Sequence, residues 1–312
     1  MALTTSTTLT QEFVDILSAE LLLEPDPQYI FGQFTKNVVE IGTQPGKTIL
    51  IDRYPYLAGT FSAAARALTD GTAIDTSKPV GLTANQVTVN VKEYAGPYSN
   101  DDSKVVPLGV SEFLKKRAKH DVAAIVGQML RRDKDATIDA IVRDLYLATT
   151  NVTTADGTAE GVITAGKKIN TATIAEVLKE LRSRNVPTFA NGNYIWVIGP
   201  KDQADLLQDA GFREAVRYQT DRLFRGQLVD YLGFTFVFSN NMPTKAVGAG
   251  SAVTGYQSVA FGPDAVGQGV GMAPEVRKSN DDDFRRQDLV IWIMHAGFAA
   301  LDARFAERVI ST

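Results

Sequence analysis

Apolar residues along the chain recur with two periods, and the change from one to the other marks out its elements. Leu9, Phe13, Ile16, Leu17 and Leu21 fall on one face at helical spacing, so residues 9 to 23 read as an amphipathic helix. Thr8 and Gln11 can form its capping box, and Pro25 and Pro27 stop it. Lys47 to Arg53 (KTILIDR) and Gln86 to Lys92 (QVTVNVK) alternate instead, with Val87, Val89 and Val91 opposite Thr88, Asn90 and Lys92, as on half-buried strands. Between them runs a stretch rich in Ala, Gly, Thr and Ser, through Leu57, Phe61, Ala63 to Ala65, Gly71 and Gly81. So long a connection without a strong pattern is uncommon inside a compact domain. It predicts a hairpin arm whose tip lies on another molecule.

The longest helical stripe covers Ser111 to Thr149. Leu114, Ala118, Val122, Ile125 and Met129 begin it, and Ile138, Ile141, Val142 and Leu145 continue it. Ser111 is the expected N-cap. Some 39 residues at the helical rise would span roughly 58 Å, more than a small domain's width. The run Arg131, Arg132, Asp133, Lys134, Asp135 reads as a solvated face at which the helix bends or breaks.

From Thr171 the pattern becomes mixed. Helices are predicted over 171 to 184, 201 to 208 and 212 to 218, and a buried strand over Asn193 to Ile198 (NYIWVI), with Gly199-Pro200 as its turn. Leu228 to Ser239 reads as a hairpin pivoting near Gly233, Val247 to Gly255 as a surface loop, and Tyr256 to Phe261 as a strand. Gly267, Gly269 and Gly271 suggest a flexible turn. The run Leu289 to Met294 is apolar enough to be buried on both faces. No internal repeat is apparent.

Composition adds mainly exclusions. The chain has 312 residues, a length that predicts about two domains. With 44% hydrophobic and 22% charged residues it can bury a sizeable core. A net charge of −4 is wrong for a protein that coats nucleic acid through a strongly basic surface. The absence of cysteine excludes disulfide scaffolds, thiolate metal sites and thiol nucleophiles. No signal peptide or membrane-length apolar run is visible, so a soluble protein made in the cytoplasm, with no membrane partner, is expected.

Candidate chemistry fails on spacing. Gly42 to Thr48 (GTQPGKT) has Ile41 where a phosphate-binding loop needs glycine, and it leads into a strand rather than a helix. The glycines at 267, 269 and 271 have Met272 where a dinucleotide fingerprint needs a third glycine. Asn280 to Asp283 and Asn100 to Asp102 read as solvated acidic turns, and Lys115, Lys116, Arg117 and Lys119 as a solvated or inter-subunit face. Neither His120 nor His295 has a partner that the sequence can name. No catalytic, cofactor or metal site is expected, and no enzyme. What remains is an amphipathic arm, a long hairpin and an over-long helix, surfaces that one chain cannot bury and that argue for assembly.

The order of these elements resembles the major capsid protein of tailed bacteriophages, the Hong-Kong-97-type fold. Local likenesses are Tyr194 to Pro200 (YIWVIGP), Gly226 to Pro243 (GQLVDYLGFTFVFSNNMP) and Phe261 to Ala265 (FGPDA). The resemblance implies an α+β phage-capsid fold. Its parts would be an N-terminal arm (1–45), an extended β-hairpin loop (46–98), a peripheral domain (99–170) with spine helix 111–149, an axial α/β domain (171–265), and a return to the peripheral β-sheet (266–312). It implies a major capsid protein that self-assembles as hexamers and pentamers into an icosahedral head enclosing double-stranded DNA, without sequence-specific binding. Assembly in the host bacterial cytoplasm follows, with the virion capsid as destination. No additional domain of about a hundred residues precedes the arm, so a separate scaffolding protein is implied, with a portal and a decoration protein as further partners. The expected assembly residues are Phe13, Ile16 and Leu17 on the arm, Phe61, Arg66 and Lys78 on the loop, and Arg131 and Arg132 on the long helix. Lys78 is the only lysine in the loop, but nothing names an acceptor, so crosslinking is not expected. The alternatives are an encapsulin-like bacterial nanocompartment shell, a tail or adaptor ring, and a soluble α/β enzyme with a site in 186–243.

Overall fold

Fourteen residues, Gln287–Ala300 (β14), form the centre of one sheet. In the computed structural model, which describes residues 29–40, 48–54, 85–99, 104–111, 122–216, 230–279 and 287–312, β14 runs antiparallel to Val266–Ser279 (β13) along nearly its whole length. Its other edge is shared end to end by Lys92–Gly96 (β4) and Leu108–Ser111 (β7). Lys36–Glu40 (β1) adds a fifth strand parallel to β13. Two short ribbons stand outside this sheet. Thr48–Arg53 (β2) pairs with Asn85–Asn90 (β3), and Tyr98–Ser99 (β5) with Lys104–Val105 (β6).

A second sheet has six strands. Its order is Phe234–Phe238 (β10), Tyr194–Ile198 (β9), Val253–Phe261 (β12), Ala306–Ser311 (β15) and Val152–Thr154 (β8), with Thr244–Val247 (β11) beside the first half of β12. All five residues of β9 are buried, because both faces of this sheet are covered. One face carries Thr171–Ser183 (α2), Pro200–Gln208 (α3) and Ala210–Val216 (α4). Ile174, Val177, Leu181, Leu206 and Phe212 pack there against Trp196, Ile198, Phe234 and Phe236.

The other face meets the long helix Val122–Leu147 (α1), whose 26 residues span about 39 Å. Its C-terminal half places Val142, Tyr146 and Leu147 on Ile195, Val197, Val259 and Phe261 of the six-stranded sheet. Its N-terminal half places Val126 and Leu130 on Trp292 and Met294 of the five-stranded sheet. One helix thus serves two cores, which is why its apolar stripe is so long.

Several expectations from the pattern need correction. Helix α1 continues through 131–135 without a break. Asp133 faces the sheet and accepts a 2.6 Å hydrogen bond from Trp292 Nε1, so part of that charged run is half-buried contact rather than solvated face. Ser111 closes β7, paired with Gln287. The alternation of Gln86 to Lys92 spans two strands, divided at Val91. Pro200 is the first residue of α3, where a missing N–H costs nothing. Gly267, Gly269 and Gly271 lie within strand β13; its register slips between Val270 and Met272. Gly233 does sit in a tight turn, with Leu232 at φ 46° and Gly233 at φ 79°. Beyond the bridge from Tyr231 to Phe234, however, β10 pairs in parallel with β9 rather than with a hairpin partner. Residues 244 to 261 form the hairpin β11–β12, with Val247 buried, where a surface loop is the expectation for 247–255. The final strand does not return to the first sheet, since β15 pairs with β12 and β8. The helix predicted over 9–23, the loop tip, the phosphate-loop look-alike, His120, the basic cluster at 115–119 and both acidic turns lie outside the described residues.

Candidate functional site

Two chain crossovers join the sheets, and the functional geometry gathers around them. The first, 262–265, leads from β12 to β13, and the second, 301–305, leads from β14 to β15. They touch, because Leu301 N–H donates to Ala265 O at 2.8 Å.

Asp139 of α1 is the buried centre of a separate cluster, 1% exposed. Its Oδ1 accepts the backbone N–H groups of Ile30 and Phe31 at 2.7 and 2.6 Å, and its Oδ2 accepts Asn241 Nδ2 at 2.7 Å. Arg143, one turn on, donates to Asn241 Oδ1 at 2.7 Å. The cluster thereby ties the incoming chain, the long helix and the segment after β10 together. Tyr146 stacks on Phe261 at 4.3 Å and donates to Phe34 O at 3.2 Å; burial, with the nearby Asp264 charge, raises its hydroxyl pKa.

The β2–β3 ribbon reaches the crossovers. Ile49 and Val89 are buried against the body while Leu50 is 58% exposed, as period-two alternation requires. The ribbon crosses β14 at Gly297, where an added Cβ would lie 2.7 Å from Asn90 O and 2.8 Å from Val89 Cγ1. At the ribbon's far end, Arg53 Nη2 stands 2.8 Å from Asp302 Oδ2, and Nη1 donates to Leu301 O at 3.3 Å. Burial pushes the Asp302 carboxyl up. Hydrogen bonds from the Arg304 side chain and N–H, with the Arg53 charge, outweigh this and hold it below the usual carboxylate range. Tyr54, the next residue, is 58% exposed.

Among the described residues, apolar surface remains exposed at the opposite end of the five-stranded sheet. Val105, Pro107, Leu289, Ile291 and Ile293 line a groove of about 500 Å³, and Tyr98 and Val276 are exposed nearby. Surface of this kind favours association.

Of the expected assembly residues, Phe13, Ile16, Leu17, Phe61, Arg66 and Lys78 lie outside the described residues. Arg131 and Arg132 are on α1. The Arg131 side chain is 81% exposed and 3.7 Å from Asp135, and Arg132 is half-buried. Sequence reasoning missed Arg53, Asp139 and Asp302. Only Asp139 carries a signal, a carboxylate in helical register with the buried Val142 and Tyr146. His295 is half exposed, 3.9 Å from Glu93. Among the described residues no group of three or more His, Asp or Glu could hold a metal ion, and no helix is long and apolar enough to cross a membrane.

The family model described as "Phage capsid protein" matches residues 110–309, well over half of the chain. The chain belongs to that family. Solved structures share its fold at low identity. A chain of the cyanophage Pam1 capsid asymmetric unit is 14% identical, with 97% of each chain covered and a TM-score of 0.74. The capsid structure of cyanophage P-SCSP1u is 12% identical over 99% of this chain and 95% of that one, with a TM-score of 0.69. A chain of Mycobacterium phage Che8 is 18% identical over 95% and 97%, with a TM-score of 0.66. No curated protein matches by sequence. This capsid protein has the mixed helix-and-sheet fold of those chains. It is a structural major capsid protein whose copies associate into a shell, and its place is the virion capsid.

Proposed function

We propose that the capsid protein closes an icosahedral head as hexamers and pentamers around double-stranded DNA. In this reading an axial domain, 171–265, carries α2, α3, α4 and strands β9 to β12 of the six-stranded sheet, which β8 and β15 complete from outside those bounds, and it meets its copies at the centre of each ring. The long helix and strands β7, β13 and β14 of the five-stranded sheet belong to a periphery formed by 99–170 and 266–305, with β1 and β4 added from the segments before it. The ribbon carries an extended loop, 46–98, onto a neighbouring subunit, and an arm, 1–45, clasps another. The observation that carries this reading is apolar surface that the described residues leave exposed, with the groove at Val105, Pro107 and Ile291 at one end and Leu50 and Tyr54 on the ribbon at the other. A net charge of −4 suits a wall that holds DNA without sequence-specific binding, since tight phosphate contacts would oppose packaging and release. Assembly takes place in the host bacterial cytoplasm with a separate scaffolding protein, a portal and a decoration protein as partners.

Negative-stain electron microscopy and sedimentation of the recombinant protein, alone and with its scaffolding protein, test this. Closed particles or angular sheets of hexamers are expected. A chain that stays monomeric in both mixtures overturns the reading, and particles that carry an enzyme cargo in place of DNA transfer it to a bacterial compartment. Deleting residues 60–80 should leave a soluble subunit that no longer closes shells, and normal shells from that deletion would remove the loop from the assembly mechanism.

A further inference from the structure

Arg53 is the last residue of β2, at the base of the segment proposed above as an extended loop. Its partner Asp302 is not on the five-stranded sheet over which the ribbon lies. It belongs to the second crossover, between β14 of one sheet and β15 of the other. The ribbon is therefore fastened twice, to the five-stranded sheet at Gly297 and to the joint between the sheets at Asp302.

The acceptor side of this contact is rigid. Asp302 is buried, 7% exposed, and caps the turn Ala303–Phe305 by accepting Arg304 N–H at 3.0 Å. The Arg304 guanidinium holds the same carboxylate through Nε at 3.1 and 3.2 Å and Nη2 at 2.8 Å. Leu301, whose carbonyl takes the other Arg53 nitrogen, is itself bonded to Ala265 of the first crossover. A planar guanidinium that grips a carboxylate and a carbonyl at once fixes direction as well as distance. Strand β1, at the edge of the five-stranded sheet, makes a similar but more exposed contact, with Lys36 2.6 Å from Asp264 in the first crossover. That pair is about half exposed at both ends, so it contributes little.

From this geometry we propose that Arg53 is a positioning residue, clamping the β2–β3 ribbon to the crossover at Leu301 and Asp302 so that the direction in which the loop leaves the subunit follows the angle between the two sheets. Deepening the assembly reading above, this rests on the ribbon being the base of an inter-subunit loop. A subunit with a loosened clamp folds, but presents its loop over a spread of directions, and its contacts no longer share one curvature.

The chain has no cysteine, so paired spin labels can be placed cleanly. Tyr54→Cys next to the clamp and Val162→Cys beside the six-stranded sheet are both exposed positions. Pulsed electron spin resonance on the unassembled, labelled subunit should give a narrow distance distribution. Adding Arg53→Met, which keeps the stem and removes the charge, should broaden it at least twofold while the melting temperature stays within a few degrees. Arg53→Lys should recover much of the narrowness. An unchanged width in Arg53→Met, or a distribution already broad before it, overturns the clamp. A clamp that loosens in Arg53→Met while shells still close at normal diameter upholds the positioning role and overturns the assembly reading of the loop instead.

Discussion

Asp202 shows how much a single side chain can cost. It lies in the first turn of α3 and is almost wholly buried; its Oδ1 accepts Ser311 Oγ at 2.5 Å while Oδ2 has no hydrogen-bond partner. Burial pushes its carboxyl pKa up to about 6, against the lowering influence of Ser311, Lys201 and Ser258. The folded protein therefore binds this proton more tightly than the unfolded chain does. The resulting stability is complete below about pH 4 and is lost as the pH rises through about 6. Asp202→Asn should gain on the order of 2 kcal/mol at neutral pH and flatten the curve between these limits. Urea titrations from pH 4 to 8 check this, and equal slopes for both proteins would contradict it. Asp139 predicts the opposite. Asp139→Ala leaves two backbone N–H groups and the Asn241 amide unpaired in a buried cluster, so a loss of about 3 kcal/mol or more in urea unfolding is expected.

At the scale of elements, the ribbon depends on a residue with no side chain. Gly297 lies toward the C-terminal end of β14, beyond the apolar run Leu289 to Met294, and lets Val89 and the Asn90 carbonyl approach the sheet. Gly297→Val drives atoms into that backbone, so the ribbon must lift off while the sheet beneath it persists. We expect a loss of about 1–3 kcal/mol, with faster hydrogen exchange at Thr88 to Asn90 and little change in β13. Uniform acceleration across the sheet would mean that the ribbon is part of the same cooperative unit. The long helix is an element of another sort. Its run of five charges suggests a bend or a break in the sequence, yet it continues uninterrupted, with Asp133 turned inward to Trp292.

For the whole molecule, the two sheets share α1, two crossovers and the Asp139 cluster, which predicts one folding unit rather than two. The two tryptophans report on this directly, with Trp196 in the six-stranded sheet and Trp292 in the five-stranded one. In Trp196→Phe and in Trp292→Phe, the fluorescence of the remaining tryptophan and the far-ultraviolet circular dichroism should unfold at one midpoint. Midpoints that separate would show that each sheet melts alone. The domain boundaries expected from the resemblance cut across this unit. Strand β8, at 152–154, lies before residue 171 and β15 after residue 266, yet both complete the six-stranded sheet.

Local periodicity alone determined most of the elements. The strands β2, β3, β9, β12 and β14 and the helices α1, α2 and α3 are all legible, because alternation and helical stripes record which face is buried whatever lies opposite. The resemblance to a capsid protein, which the family match bears out, rested on the same kind of pattern. Pairing was not legible. A strand pattern cannot name its partner, so the parallel join of β10 to β9 and the departure of β15 to the second sheet came only with the tertiary structure. Glycines were misread for a related reason. At 267, 269 and 271 they suit a turn or a crowded sheet equally well, and only neighbours distant in sequence distinguish the two. The joint was the least legible part. Arg53 and Asp302 are 249 positions apart, and an ion pair leaves no period in the sequence, so only the folded chain brought them within 2.8 Å.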